Sequence, residues 1–157
     1  MKKKEIITIT IIAIILVISG FLGFTYYSDV TTLYNAEITI NDIQIQELGL
    51  SFCKLKIIID ISNPSGKDIS ELTANFNIKI SNNFVGKGSV SKISIPSKSS
   101  KEKEVIVTIY YANVAAAVVN GIADGNFDLT LVGEASGKVL FGLITVTDRF
   151  RTTKSYV

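Results

Sequence analysis

The chain has 157 residues, 47% hydrophobic and 19% charged, and a mean hydropathy of +0.39, high beside soluble domains whose charged share is about 25%. Sixteen Lys and Arg against 14 Asp and Glu leave +2, too little for the basic stripe that phosphate binding needs, so nucleic acid is not an expected partner. With no His, no Trp and one Cys, the chain lacks Ser-His and Cys-His triads, His-containing zinc sites, multi-Cys clusters and any intrachain disulfide.

The first expected element is a membrane helix. Ile6 to Phe24 is a run of 19 residues without a charge, and at about 1.5 Å per residue it spans roughly 28 Å, the thickness of a hydrocarbon core. Lys2, Lys3, Lys4 and Glu5 precede it, and Tyr26 and Tyr27 supply aromatic anchors at the far interface. The positive-inside rule places the N-terminus in the cytoplasm and the rest outside, a single-pass arrangement in the cell membrane. A cleaved signal peptide is the competing reading, but its apolar region usually runs only about 7 to 15 residues and ends at a small-x-small site. Here the run is longer and ends Gly20-Phe21-Leu22-Gly23-Phe24. Removing the three lysines and Glu5 leaves 13 basic and 13 acidic residues, so the net charge resides in the cap. The expected division is a basic cap over 1–5, an anchor over 6–27, a short linker over 28–35 and one domain over 36–157.

Period-two alternation dominates that domain. Ala36 to Leu48 reads as a strand whose apolar parity slips between Ile38, Ile40 and Ile43, Ile45, which a bulge near Asn41-Asp42 accommodates. Leu55, Ile57, Ile59 and Ile61 form one aliphatic face, with Cys53 on the same inward parity, and Asn63-Pro64-Ser65-Gly66 marks a reversal. Ala74, Phe76, Ile78 and Ile80 alternate next, then Ser81-Asn82-Asn83 offers a hairpin turn before Phe84 to Ile95. After the loop Pro96-Ser97-Lys98-Ser99-Ser100, Val105, Val107, Ile109 and Tyr111 make another face. A short amphipathic helix follows, capped by Asn113, with Val114, Val118 and Ile122 on one stripe and Asp124-Gly125 at its end. Two last strands are expected over Phe127 to Leu131 and Val139 to Val146, around an Ala135-Ser136-Gly137-Lys138 turn. About seven strands and one helix predict a mainly β, immunoglobulin/fibronectin-like antiparallel sandwich.

No catalytic, cofactor-binding or metal-binding residue stands out. Asp60, Asp68 and Glu71 flank one turn but lack the dense Asp/Asn/Gly spacing of calcium loops. Ser99-Ser100-Lys101 has no Ser-x-x-Lys pattern, and Gly86-Lys87-Gly88-Ser89 lacks Walker spacing and sits in a strand pattern, where glycine marks a bulge or close packing. Of Tyr110-Tyr111, one must face the core.

The order Leu55 to Pro64, Ile69, Leu72, Ile78, Phe84-Val85-Gly86-Lys87-Gly88, Ile95 to Ser99, Val105 to Ile109, helix, and Phe127 to Gly133 resembles the late embryogenesis abundant group-two family, also called the water stress and hypersensitive response domain. The likeness covers Ile38 to Phe150, with Asn63-Pro64 after the aliphatic strand as its most specific piece. It implies a folded fibronectin-like sandwich with one helix, linked to desiccation stress and often anchored by an N-terminal helix in archaeal and bacterial members. It carries over no catalytic residue and no cofactor. Asn63, Pro64, Gly66, Gly86, Gly88, Pro96 and Gly133 are then structural positions, while Ile6, Phe24, Tyr26 and Tyr27 mark the anchor. The implied role is non-enzymatic: stabilising or binding cell-envelope components, with membrane lipid met through the helix. An accessory docking subunit of an envelope assembly and a lipid or apolar-ligand module are the alternatives, and the oligomeric state is open.

Overall fold

The computed structural model of the chain describes residues 3–157; Met1 and Lys2 of the basic cap, and the side chain of Lys4, lie outside the described residues. The first helix, α1 (Lys3–Tyr34), is apolar nearly all round and long enough to cross a bilayer or act as a signal anchor. Its apolar stretch from Ile6 to Phe24 lies wholly exposed, and Tyr26 and Tyr27 beyond it are exposed too. Within that stretch, Thr10 Oγ1 donates to the Ile6 carbonyl at 2.9 Å, so its hydroxyl needs no partner from outside the helix.

The seven strands among the described residues are β1 (Glu37–Leu48), β2 (Phe52–Asn63), β3 (Ile69–Ile80), β4 (Asn83–Ile95), β5 (Ser99–Tyr110), β6 (Phe127–Val139) and β7 (Ile144–Tyr156). They form two antiparallel sheets, β1-β2-β5 and β4-β3-β6-β7, with β4 beside β5 and β1 beside β7 at the seams. The alternation read along each strand sets the core. Cys53, Leu55, Ile57, Ile59 and Ile61 face inward from one sheet, and Leu72, Ala74, Phe76, Ile78, Ile80, Leu129 and Leu131 from the other. The parity slip in β1 is a register shift between Ile40 and Asp42, with a second between Ile45 and Glu47. Lys154 of β7 donates to the carbonyl of the bulged Asn41 at 2.7 Å, which ties the two sheets together at that seam. The Ser81-Asn82 turn takes left-handed φ of 46° and 65°, the geometry that suits a tight hairpin.

A short 3-10 turn (Tyr111–Asn113) precedes the second helix, α2 (Ala116–Asp124), which buries Val118 and Ile122. Asn113 does not cap α2; the cap is Ala115, with no side-chain bond. The Tyr111 N–H bonds the Ser51 carbonyl and the Tyr111 ring packs on the core, so the chain tightens there before α2 starts. Gly125 ends α2 in the left-handed region at φ 64°, as expected of a helix-terminating glycine.

Three expectations are corrected. Residues 28–35 are not a linker, because α1 continues to Tyr34 and its last turns pack on the sandwich. Ala135-Ser136-Gly137-Lys138 is not a turn either; β6 runs through it, the chain reverses at Leu140–Leu143, and β7 extends to Tyr156 rather than stopping at Val146. Gly137 has no room for a side chain because α1 lies over it: a Cβ there would stand 2.7 Å from Leu33 Cδ1. Gly66 is not a position that requires glycine, since its φ is not positive and a Cβ there would meet open space.

Cys53 is fully buried, and burial pushes its thiol above the ordinary 9.0. Thiol reagents added to the native chain are expected to leave Cys53 unmodified, with one equivalent reacting once denaturant unfolds the sandwich. The unfolded thiol ionises near its ordinary value while the folded one resists, so stability falls as pH rises past 9.0.

Candidate functional site

The residues that distinguish this sandwich gather where α1 joins it. Thr25, Asp29, Thr32 and Leu33 recur at i, i+4, i+7 and i+8, which puts them on one face of the helix. Thr25, Thr32 and Leu33 are buried, and Leu33 joins the hydrophobic core. Thr32 Oγ1 donates to the Ser28 carbonyl at 2.9 Å, which satisfies its hydroxyl in that contact.

Asp29 holds two elements of the sandwich at once. One carboxylate oxygen pairs with Lys67 Nζ, and the other accepts the Leu140 N–H at 2.8 Å. Lys67 lies in the β2–β3 connection and Leu140 opens the β6–β7 turn, so one helical side chain ties loops from both sheets.

The Asn63-Pro64 turn builds the surface that Asp29 meets. Asn63 is fully buried, and its Nδ2 donates to the carbonyls of Lys67 (2.8 Å), Pro96 (3.2 Å) and Ile95 (3.3 Å). Its Oδ1 accepts the Ser65 N–H at 3.1 Å. Lys98, at φ 55°, sends its backbone N–H to the Ser65 carbonyl and its ammonium to the Pro64 carbonyl at 2.6 Å. Asp68 Oδ1 accepts the Ser97 N–H at 2.7 Å. The β2–β3 and β4–β5 loops are thereby laced together, and Lys67 is presented to the helix from a fixed backbone.

A groove of about 460 Å³ lies between α1 and the sandwich, lined by Thr25, Asp29, Lys67, Glu71, Lys138 and Phe141 among others. Its charged lining is a poor match to an apolar ligand, which prefers a mostly hydrophobic cavity. A larger open depression of about 1030 Å³ involves Asn75, Lys87, Glu104, Glu134 and Arg149, and its lining is more polar than apolar.

The acidic trio Asp60, Asp68 and Glu71 is not brought together. Asp60 sits on the outward parity of β2 opposite Thr39 and Glu102, Asp68 caps Ser97, and Glu71 faces Lys92 at 3.7 Å. Among the described residues, no group of three or more His, Cys, Asp or Glu is placed to hold a metal ion. Ser99 Oγ donates to the Pro96 carbonyl at 2.8 Å, and Lys101 lies in β5 opposite Ile61. Tyr110 is exposed and tilts against Phe52 at 6.3 Å between ring centroids, while Tyr111 packs on the core with its hydroxyl pushed up by desolvation and by Cys53.

The glycines Gly86, Gly88 and Gly133 are places of close approach. A Cβ on Gly86 would stand 3.0 Å from Val107 Cγ2 across the β4–β5 seam. Gly88 and Gly133 both pair with Phe76, on opposite sides of it, and Phe150 beyond Gly133 meets the Phe76 ring edge-on at 6.1 Å. Gly88 gives the Phe76 ring room, and Gly133 lets β6 approach the β3 backbone closely.

Sequence reading found the Asn63 turn and the close-packed glycines but missed the seat of α1. The signal was present in the spacing of Thr25, Asp29, Thr32 and Leu33; their polarity reads as linker unless their helical period is counted.

No family model matches the chain, and no curated protein sequence matches it. Solved structures do resemble it. A solution structure from Arabidopsis thaliana aligns at a TM-score of 0.58 and 15% identity, covering 76% of this chain and 79% of that one. A protein from Archaeoglobus fulgidus aligns at 0.45 and 10% identity over 77% of this chain and 94% of its own. A late embryogenesis abundant protein aligns at 0.43 and 16% identity over 88% and 83%. The first of these likenesses establishes a shared β-sandwich fold.

Proposed function

We propose that the chain is a non-enzymatic, membrane-anchored β-sandwich of the late embryogenesis abundant group-two kind, which holds cell-envelope components on the outer face of a membrane under water stress. The observation that carries this reading is the division of α1: an apolar length wholly exposed, then two polar turns seated on the sandwich through Asp29 and Leu33. Apolar surface of that extent in water is unfavourable, whereas a bilayer covers it at no cost to the fold. A detachable leader has no use for buried contacts with the domain that it leaves.

The resemblance over Ile38 to Phe150 supplies the link to stress, and the shared sandwich fold is compatible with it. Asp29, Lys67, Asp68 and Glu71 of the groove are engaged in ion pairs and turn bonds, an arrangement suited to holding a shape.

The test takes the native membrane fraction. The expected outcome is a carbonate-resistant chain of intact mass near 17.1 kDa that crosslinks to envelope components more strongly after osmotic upshift. A soluble chain lacking its apolar segment would overturn the anchor, and crosslinking indifferent to osmotic stress would overturn the stress role.

A further inference from the structure

The β6–β7 turn carries large apolar side chains in a setting that does not favour them. Leu140 and Phe141 adopt left-handed φ of 50° and 58°, followed by Gly142 at 83°. For residues with a Cβ this region costs roughly 1–2 kcal/mol each, and hairpin turns of this kind ordinarily use Asn, Asp or Gly. Here the tip reads Leu140-Phe141-Gly142-Leu143, and Phe141 and Leu143 are 71% and 78% exposed. Nothing in the sandwich explains the choice.

The position of this tip beside α1 does explain it. Leu33 packs on Gly137, Asp29 bonds Leu140, and Thr25 lines the same groove as Phe141 and Gly142. From Leu33 to Thr25 the helix advances eight residues, about 12 Å at 1.5 Å each. Gly137 to Val139 is extended, about 7 Å at 3.3 Å each, and the chain then turns at Leu140. The contacts of Asp29 and Thr25 therefore hold the turn beside the stretch of helix that leads to Phe24. Thr25 directly follows Phe24, the last residue of the apolar run, and Tyr26 and Tyr27 flank it.

Resting on the reading of α1 as a membrane span, we infer that Phe141 and Leu143 form a second membrane contact, an apolar tip inserted at the interface beside the exit point of the helix. The Asp29–Leu140 bond fixes the tip at that depth, and Lys138 lines the groove just above it. The ligand is the lipid interface itself: phosphate-level polarity around Lys138 and Tyr27, with acyl carbons below. Two contacts from a rigidly seated domain restrict its tilt on the bilayer, which one flexible tether does not.

The chain has no Trp, so a single substitution supplies a depth probe. The full chain is reconstituted in phosphatidylcholine and phosphatidylglycerol vesicles as Phe141→Trp, as Leu143→Trp to read the same tip independently, as Ile15→Trp in the middle of α1, and as Leu50→Trp at the far end of the sandwich, where Leu50 is fully exposed. Lipids brominated near the headgroup are expected to quench the Phe141→Trp and Leu143→Trp emission and leave Leu50→Trp unchanged. Lipids brominated deep in the chain are expected to quench Ile15→Trp. Tip probes as unquenched as Leu50→Trp, with Ile15→Trp quenched, would overturn the second contact and leave the anchor standing. An unquenched Ile15→Trp overturns the anchor and this inference together, and equal quenching of Leu50→Trp overturns a contact specific to the tip.

Discussion

Gly133→Ala is expected to destabilise the sandwich by about 3 kcal/mol, at the upper end of what overpacking a core costs. A Cβ at this position would fall 2.1 Å from the Asn75 carbonyl oxygen and 2.6 Å from both Cα and Cβ of Phe76. None of those atoms is the free end of a side chain. Relief requires β3 and β6 to separate, which stretches the ladder that runs from Thr73–Ser136 to Ile80–Leu129. Gly88 makes the instructive comparison. Its Cβ would meet the Phe76 ring at 2.4 Å, but a ring swings about χ1 and χ2, so Gly88→Ala is expected to cost less, with the loss felt at the Phe76–Phe150 contact. Gly66→Ala faces open space with ordinary φ and is expected to be neutral. Thermal melts of the full chain in detergent, read through the reactivity of Cys53 so that the micelle-bound helix does not mask the transition, give the order. A drop near 10 °C is expected for Gly133→Ala at roughly 3 °C per kcal/mol. Equal melts for Gly133→Ala and Gly66→Ala would show that the sheet tolerates the extra atom.

What the sequence made legible follows from which forces act locally. The strands of the core were readable because one face of each is covered by the opposite sheet, and that coverage writes a period of two into Leu55 to Ile61 and Ala74 to Ile80. The bulge at Asn41 and the turn at Ser81-Asn82 were readable for the same reason, since a slip of parity or a polar pair interrupts the pattern. β7 was not, because no residue of it is buried and its Thr, Arg and Lys alternate weakly. It is held instead by pairing with β6, by Thr153 on Thr130 at 2.9 Å, and by the stacking of Tyr156 on Phe127 at 5.0 Å. The small run at Ala135 to Gly137 reads identically whether a chain turns or a helix packs on it. Only the long-range contact of Leu33 separates the two, and a single sequence does not carry that pairing. The same holds for Asp29, whose two partners lie 38 and 111 positions away along the chain.

Asn63→Ala is expected to cost about 3 kcal/mol, against less than about 1 kcal/mol for Pro64→Ala. The asymmetry comes from what each residue satisfies. Pro64 restricts the unfolded chain and offers its carbonyl to Lys98, and the carbonyl survives substitution. The Asn63 amide is fully buried, and its removal strips a donor from the carbonyls of Lys67, Ile95 and Pro96 and an acceptor from the Ser65 N–H. Each buried polar group left without a partner costs about 1–3 kcal/mol, reduced where water reaches the partly exposed members. Asn63→Asp separates hydrogen bonding from packing, since the shape is kept while the donor becomes an oxygen. A carboxylate set against three carbonyl oxygens is repelled, so Asn63→Asp is expected to be less stable than Asn63→Ala at neutral pH. Protonation restores one donor, so its deficit narrows as pH falls. The consequence reaches the helix. The Lys67 carbonyl anchors the loop from which the Lys67 ammonium reaches Asp29, so a loosened turn loosens the seat of α1. Limited proteolysis at the Asn35-Ala36 junction is accordingly expected to quicken in Asn63→Ala before the sandwich melts, and in Asp29→Ala without any large change in the melt. Junction cleavage that stays slow in both variants would mean that Leu33 and its hydrophobic contacts hold the helix unaided.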